Sequence, residues 1–240
     1  MNRKFEQRTE IVIGENGVKK LKEANVLIFG LGGVGSYVTE ALVRAGIGNM
    51  TIVDFDDVDE TNINRQIPAL HSTIGKYKVD VMENRIKDIN PEINLKKYQM
   101  LFDESTSDEL LSGKYDFVVD AIDMMKSKIH LIEECDRRGL KLISSMGMGN
   151  KLDPTMIEVE DIYKTEMCPL AKVLRRELKK RGIKKLTVVY SKEKPRETAI
   201  MEEDGQKKRV NGSMSFVPSA AGLTIASYIV RYLIGDIKWD

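Results

Sequence analysis

Gly30, Gly32 and Gly35 stand as G-x-G-x-x-G directly after a short apolar run, Val26 to Phe29, and directly before a helical pattern, Tyr37 to Ala45. In that context each glycine has a physical purpose. The first permits a tight turn, the second lets backbone approach a phosphate, and the third lets helix and strand pack closely. A nucleotide is the expected ligand. Asp54, 24 residues after Gly30 and at the end of a second strand-like run, is placed to accept from a ribose hydroxyl. These features alone describe a dinucleotide oxidoreductase, but the next segment points elsewhere. From Asp54 to Gln66 the chain reads D-F-D-D-V-D-E-T-N-I-N-R-Q, and Lys76 and Lys78 follow beyond Gly75. Hydride transfer has no use for so many amides and cations beside a pyrophosphate, whereas chemistry at an α-phosphate does.

In such chemistry Arg65 and Lys78 would stabilise charge on the phosphoryl oxygens and on the departing pyrophosphate. Asn62 and Gln66 would hold the same oxygens without charge. Asp123, just past the strand-like run Tyr115 to Ala121, is placed to hold a magnesium ion bridging the phosphates. Plainer readings stay open at this point: Arg65 and Lys78 as solvated surface cations, and Asp123 as the N-cap of the helix after it. No G-x-x-x-x-G-K followed by Ser or Thr occurs, so the glycine turn itself must hold any ATP.

The elements that must position these residues alternate. Strands are expected at Val26 to Phe29, Met50 to Phe55, Ile93 to Tyr98, Tyr115 to Ala121 and Leu140 to Ser145, with helices at Tyr37 to Ala45, Val79 to Ile89 and Lys126 to Arg138 between them. That rhythm predicts an α/β, Rossmann-like, doubly wound and mostly parallel sheet. After Gly147 the rhythm changes. Strands near Ile157 to Glu160, Leu186 to Tyr190 and Ser213 to Val217, and helices at Pro169 to Arg181 and Ala220 to Ile234, form a C-terminal strand and helix extension. The expectation is one domain, with a nucleotide-binding core over 20–150 and the extension over 151–240. Ser191 to Lys208, rich in charge, reads as a surface loop.

Thirty-eight basic against 37 acidic residues give a net charge of +1, so no global field marks a nucleic-acid or membrane binder. The local balance differs. Pro169 to Lys185 holds eight cations and only Glu177 as anion, a net +7 that the rest of the chain offsets at −6. Lys172, Arg175, Arg176, Lys179 and Lys180 recur at helical spacing, a face suited to nucleic-acid phosphates. Two cysteines cannot build a four-cysteine zinc site, and Cys135 and Cys168 are expected in the core of a protein of the reducing cytoplasm. Met1 to Arg8 lacks the apolar stretch of a secretory signal. Asn211 to Val230 is uncharged but interrupted by Pro218 and Gly222, and reads as buried structure; no membrane contact is expected.

Five motifs in this order resemble the ThiF, MoeB and HesA group of adenylating enzymes, relatives of the ubiquitin-activating enzymes. They are G-L-G-G-V-G-S at Gly30 to Ser36, D-F-D at Asp54 to Asp56, N-I-N-R-Q at Asn62 to Gln66, G-K-Y-K at Gly75 to Lys78, and D-A-I-D at Asp120 to Asp123. The resemblance implies ATP-dependent adenylation of a carboxylate with release of pyrophosphate. It implies a nucleotide on the loop of Gly30, Gly32, Gly33 and Gly35, ribose at Asp54 with Asp56 beside it, phosphates at Arg65 and Lys78, and Mg2+ at Asp123. It further implies a homodimer in which an N-terminal arginine, here Arg8, completes the partner subunit's site. P-L-A-K-V-L-R-R-E-L from Pro169 and G-S-M-S-F-V-P-S-A-A-G from Gly212 make the chain look most like the branch that dehydrates threonylcarbamoyladenosine in tRNA. The alternative within the group is activation of the C-terminal glycine of a ubiquitin-like sulfur carrier, with sulfur-transfer protein partners. The absence of paired C-x-x-C motifs and the basic helix speak against it. A nucleotide sensor without turnover is the alternative of another class, and the full set from Arg65 to Asp123 speaks against that.

Overall fold

The computed structural model describes residues 4–197, 199–203 and 206–239, with 199–203 and 206–209 described by their backbone only. Seven strands form one sheet: β1 (Asn25–Phe29), β2 (Asn49–Val53), β3 (Asn94–Tyr98), β4 (Phe117–Asp120), β5 (Leu142–Ser145), β6 (Ile157–Asp161) and β7 (Thr187–Ser191). Their order is β3-β2-β1-β4-β5-β7-β6, parallel except for the antiparallel pair of β6 and β7. The helices are α1 (Gln7–Glu23), α2 (Gly35–Ala45), α3 (Lys78–Ile89), the single turn α4 (Ser107–Leu110), α5 (Met125–Arg138), α6 (Pro169–Lys180) and α7 (Phe216–Ile234).

Successive strand residues point to opposite faces, and both faces of this sheet are covered. Val26 and Ile28 of β1 join the helices α1, α2, α3 and α7 through Leu21, Leu42, Met82 and Ile225. Leu27 and Phe29 face the other layer, where Leu131 of α5 and Leu174 of α6 lie. This is why β1 reads as a continuous apolar run. β3 sits at the sheet edge, as its weak alternation implies, and its residues are largely exposed.

From β1 the chain winds outward through β2 and β3, then returns to place β4 on the other side of β1. The carboxyl ends of β1 and β4 therefore diverge into loops that run in opposite directions. A crevice opens there, at the topological switch point where such sheets bind ligands.

Three expectations need correction. Residues 213–217 are not a strand; they are the loop before α7 and its first two residues. Pro218 suits the first turn of a helix, where amides have no helical acceptor, and the Ser219 N–H bonds the Ser215 carbonyl. The stretch read as a loop, Ser191 to Lys208, contains most of an antiparallel hairpin of β8 (Ala199–Glu203) and β9 (Gln206–Val210), whose register sets Glu202 against Lys207. Within that stretch Thr198 and residues 204–205 lie outside the described residues. Finally, α1 was not foreseen; it is broken at Gly14, and only its second half places buried residues, Val18 and Leu21, against the core. Among the described residues α7 alone is long and apolar enough to cross a membrane, and its Val217, Ala221, Ile225 and Ile229 are buried in the core.

Candidate nucleotide and phosphoryl-transfer site

A cavity of about 660 Å³ occupies the crevice. Its floor is the glycine turn. Gly30 has φ +87°, and a Cβ there would come 2.6 Å from the Ala121 carbonyl oxygen at the end of β4. At Gly35 a Cβ would lie 1.8 Å from the Gly30 carbonyl oxygen, so only glycine lets α2 start on top of the turn. Gly32, Gly33 and Val34 line the cavity and lead into α2 at the positive end of its dipole, a setting for phosphate.

One wall is zipped together from two distant motifs. The Val58 N–H bonds the Lys76 carbonyl, the Gly75 N–H bonds the Val58 carbonyl and the Lys78 N–H bonds the Asp56 carbonyl, so the D-F-D segment and the G-K-Y-K segment meet. Lys78, the first residue of α3, is only 4% exposed, and its Nζ lies 2.7 Å from Asp56 Oδ2. It is not a solvated surface cation. Asp54 is 8% exposed; its Oδ2 accepts from the Leu31 N–H at 2.6 Å and its Oδ1 from the Asp56 N–H at 2.9 Å. Burial pushes the Asp54 carboxyl up, against the opposing pull of Lys78 and the two backbone donors. Each carboxylate oxygen keeps a second acceptor site.

Arg65 is half-buried, its stem close to Gly33, where a Cβ would stand 3.4 Å from Arg65 Cγ. Its Nη1 donates to the Thr61 carbonyl and to Asn64 Oδ1, at 2.9 and 2.8 Å. Gln66 is buried beside Gly32, and its Oε1 has no partner among the described residues. Asn62 lines the cavity from a short turn, Glu60–Asn62, capped by Asp59. Asp123 is exposed on the cavity and is not an N-cap: that position in α5 belongs to Met124, which has no side-chain cap bond. Arg8 is exposed on α1 and does not line the cavity of its own chain.

Among the described residues no cluster of three His, Cys, Asp or Glu exists to cage a metal ion. Asp123 fits magnesium in the way such ions accompany nucleotides, through one carboxylate and the substrate's phosphates rather than an all-protein cage.

Sequence reasoning passed over a second layer beneath the cavity. Lys128 is fully buried, and its Nζ donates to Asp120 Oδ2 at 2.6 Å, Ser145 O at 3.0 Å and Ser144 Oγ at 3.2 Å. Asp120 Oδ1 accepts from the Ile122 N–H at 3.1 Å, tying the pair to the loop that carries Asp123. The signal was present: Lys128 shares the inward stripe of α5 with Leu131, Ile132 and Cys135. Lys151 is likewise buried, with Nζ on the Gly147 carbonyl at 2.7 Å, and burial lowers its pKa.

The basic face of α6 is smaller than its spacing implied. Lys172, Arg176, Lys179 and Lys180 are exposed. Arg175 instead turns inward, where its Nη1 donates to Ile162 O at 3.2 Å, Thr165 O at 2.9 Å and Thr165 Oγ1. It is a clamp on the preceding loop. Glu177, between Lys180 and Arg181 at 2.9 Å each, is drawn down to about 2 by those hydrogen bonds, so part of the charge on Lys180 is met within the helix. Cys168 and Cys135 are buried in one apolar cluster with α6, and burial pushes the Cys135 thiol well above its ordinary range.

A glycine turn at a sheet switch point, faced by a buried lysine, a half-buried arginine and an exposed aspartate, defines a nucleotide-binding α/β protein equipped for phosphoryl chemistry. The chain belongs to the ThiF family, whose model matches residues 6–239. It is 44% identical over 244 residues to the tRNA threonylcarbamoyladenosine dehydratase of Bacillus subtilis (strain 168), covering 96% of this chain and 95% of that protein. It is also similar to the E. coli tRNA N6-threonylcarbamoyladenosine dehydratase crystallised in complex with ATP, at a TM-score of 0.87 and 34% identity over 95% of this chain and 93% of that one. The same E. coli protein in complex with AMP matches with a TM-score of 0.86 at 34% identity, over the same shares of the two chains.

Proposed function

We propose that this protein is an ATP-dependent tRNA threonylcarbamoyladenosine dehydratase. The observation that carries the reading is the end-to-end similarity to the Bacillus subtilis dehydratase. The threonyl carboxylate of the modified adenosine attacks the α-phosphorus of ATP, the anhydride bond breaks and pyrophosphate leaves. The carbamoyl group then attacks the activated carbonyl, its N–H proton passes to solvent and the carbonyl–phosphate bond breaks to release AMP, so the nucleoside loses the elements of water. The glycine turn and the start of α2 cradle the phosphates. Arg65 and Lys78 stabilise charge on the α-phosphoryl group and on pyrophosphate, with Asn62 and Gln66 beside them. Asp56 holds Lys78 in place. Asp123 would hold a magnesium ion, which would supply further charge neutralisation at the phosphates. None of these groups needs to move a proton at the phosphorus; they position and they polarise. The working form is a homodimer in which Arg8 reaches the partner subunit's site.

Asp54 accepts from the ribose in this reading, and it does so best as the anion. Because burial raises its pKa, acidification protonates Asp54 before ordinary carboxylates are reached. Adenosine affinity, measured calorimetrically without phosphates to titrate, is expected to weaken as pH falls, beginning above the range in which ordinary carboxylates titrate. Asp54→Asn should bind more weakly and show a flat profile; a wild-type profile as flat as that of Asp54→Asn would remove Asp54 from the ribose site.

The direct test is pyrophosphate release with ATP and magnesium, comparing tRNA carrying threonylcarbamoyladenosine, the unmodified tRNA, and a ubiquitin-like carrier protein. Release with the modified tRNA alone, and a nucleoside lighter by one water, is the expected result. Release with the carrier alone would move the protein to the sulfur-carrier branch. In the same assay Lys172, Arg176, Lys179 and Lys180, all changed to Gln, should raise KM for tRNA and flatten its salt dependence by several phosphate contacts. An unchanged salt slope would take tRNA off α6.

A further inference from the structure

Asn64 stands in the middle of N-I-N-R-Q, immediately before Arg65. Its side-chain amide makes contacts in two directions. Asn64 Oδ1 accepts from Arg65 Nη1 at 2.8 Å, while Asn64 Nδ2 donates to the Ser213 carbonyl at 2.9 Å and lies 3.3 Å from the Ser213 hydroxyl. Ser213 belongs to Asn211–Gly212–Ser213, a strip that lines the same cavity and directly follows β9.

That strip is fixed at its other end. Asn150, at φ +60°, donates through Nδ2 to Asn211 Oδ1 at 2.9 Å and accepts at Oδ1 from the Gly212 N–H at 2.7 Å. Its backbone N–H bonds Gly212 O and its carbonyl accepts from the Arg196 N–H, each at 2.8 Å. Both ends of the excursion that carries the β8–β9 hairpin therefore meet at Asn150, and Asn64 links this anchored strip to Arg65.

We propose that Asn64 is a positioning residue, which fixes the guanidinium of Arg65 against the Ser213 carbonyl so that the arginine's remaining donors meet the α-phosphoryl group as the tRNA substrate is adenylated. The proposal rests on the function given above. Chemistry favours an amide here. It accepts from Arg65 without neutralising it, so the full positive charge stays available to phosphate, and it has a donor left for the opposite wall. An aspartate would pair with Arg65 and have no donor for Ser213. Alanine would leave the guanidinium held, among the described residues, by the Thr61 carbonyl alone.

The test is a double-mutant cycle on turnover of the modified tRNA, with wild type, Asn64→Ala, Arg65→Lys and the double variant, and with Asn64→Asp as an independent fifth protein. Asn64→Ala is expected to lower kcat by roughly tenfold to a hundredfold, the cost of a misplaced catalytic group, with KM for ATP changed by no more than about twofold. Asn64→Asp should lose kcat as well. Combined with Arg65→Lys, Asn64→Ala should add little, because both act through one guanidinium. Additive losses would overturn the proposal, as would an unchanged kcat in Asn64→Ala, or a loss seen only in KM. If Asn64→Ala does not fold, the cycle is run with Asn64→Asp, where additive losses or an unchanged kcat overturn the proposal in the same way. Wild-type protein that leaves the modified tRNA unchanged would instead overturn the functional reading, and this proposal with it.

Discussion

Replacing Arg65 by alanine is expected to reduce tRNA-dependent turnover by roughly a hundredfold or more while ATP still binds, the usual scale for deleting one donor that stabilises developing charge. The two halves of that statement come from different parts of the site. In the proposed reading ATP is held by the glycine turn before α2 and by Asp54, whose close approaches to Ala121, Leu31 and Asp56 do not involve Arg65. Turnover, in contrast, requires charge to be met as it moves from the anhydride onto pyrophosphate, and Arg65 is the half-buried cation whose stem lies along Gly33. Arg65→Lys keeps the charge but loses the planar fork, so an intermediate rate is expected. Steady-state kcat alongside calorimetric ATP affinity checks both halves. Turnover within a few-fold of wild type would remove Arg65 from the chemistry, and a parallel collapse of ATP affinity would make it a binding residue instead.

The second large effect is on stability. Lys128→Met leaves Asp120 as a buried carboxylate whose ammonium partner is gone, and breaking such a pair costs about 3–5 kcal/mol. For a chain of this size that corresponds to a fall in Tm of roughly 6–20 °C, readable by circular dichroism. The paired replacement Lys128→Met with Asp120→Asn removes both charges and should recover a large part of the loss. A Tm within a degree or two of wild type for Lys128→Met alone would mean that Asp120 takes up a proton or finds water at little cost. Because the pair joins the end of β4, the start of α5 and the end of β5, the single variant should also loosen the loop that carries Asp123.

Much of this architecture was legible because its determinants are local. The apolar run of β1, the three glycines and the helical stripe of α2 are contiguous, and each has one physical explanation. Lys78 and Asp54 stood out as candidates and both line the cavity, although the backbone zipper that brings their motifs together was not legible. Arg175 was misread because spacing alone cannot show that the loop at Ile162 and Thr165 folds back under α6 and offers it two carbonyls. Position 175 also flanks Leu174 and Leu178 on the buried side of the helix, a hint that charge counting overrode. Residues 213–217 carry strand-like side chains, but the chain there must cross from the hairpin to α7 over the cavity, and tertiary packing decided the outcome. Lys128 was missed although its place on the inward stripe of α5 marked it, and Asn64 because its meaning comes from Ser213 on the opposite wall of the cavity.

The glycine turn has a consequence for how the protein is made. One side of the turn is built from β1, but the other is the end of β4: the Ala121 N–H bonds the Phe29 carbonyl, and the Ala121 carbonyl closes over Gly30. A ribosome therefore releases the complete G-x-G-x-x-G motif long before the segment that shapes it has been synthesised. During that interval the nascent chain can pair β1 with β2 and β2 with β3, yet it has no formed nucleotide pocket, and ATP cannot favour its folding by mass action. The nucleotide selects for the folded state only once β4 has docked, so ATP acts as a late check on assembly of the central sheet rather than as a template for it.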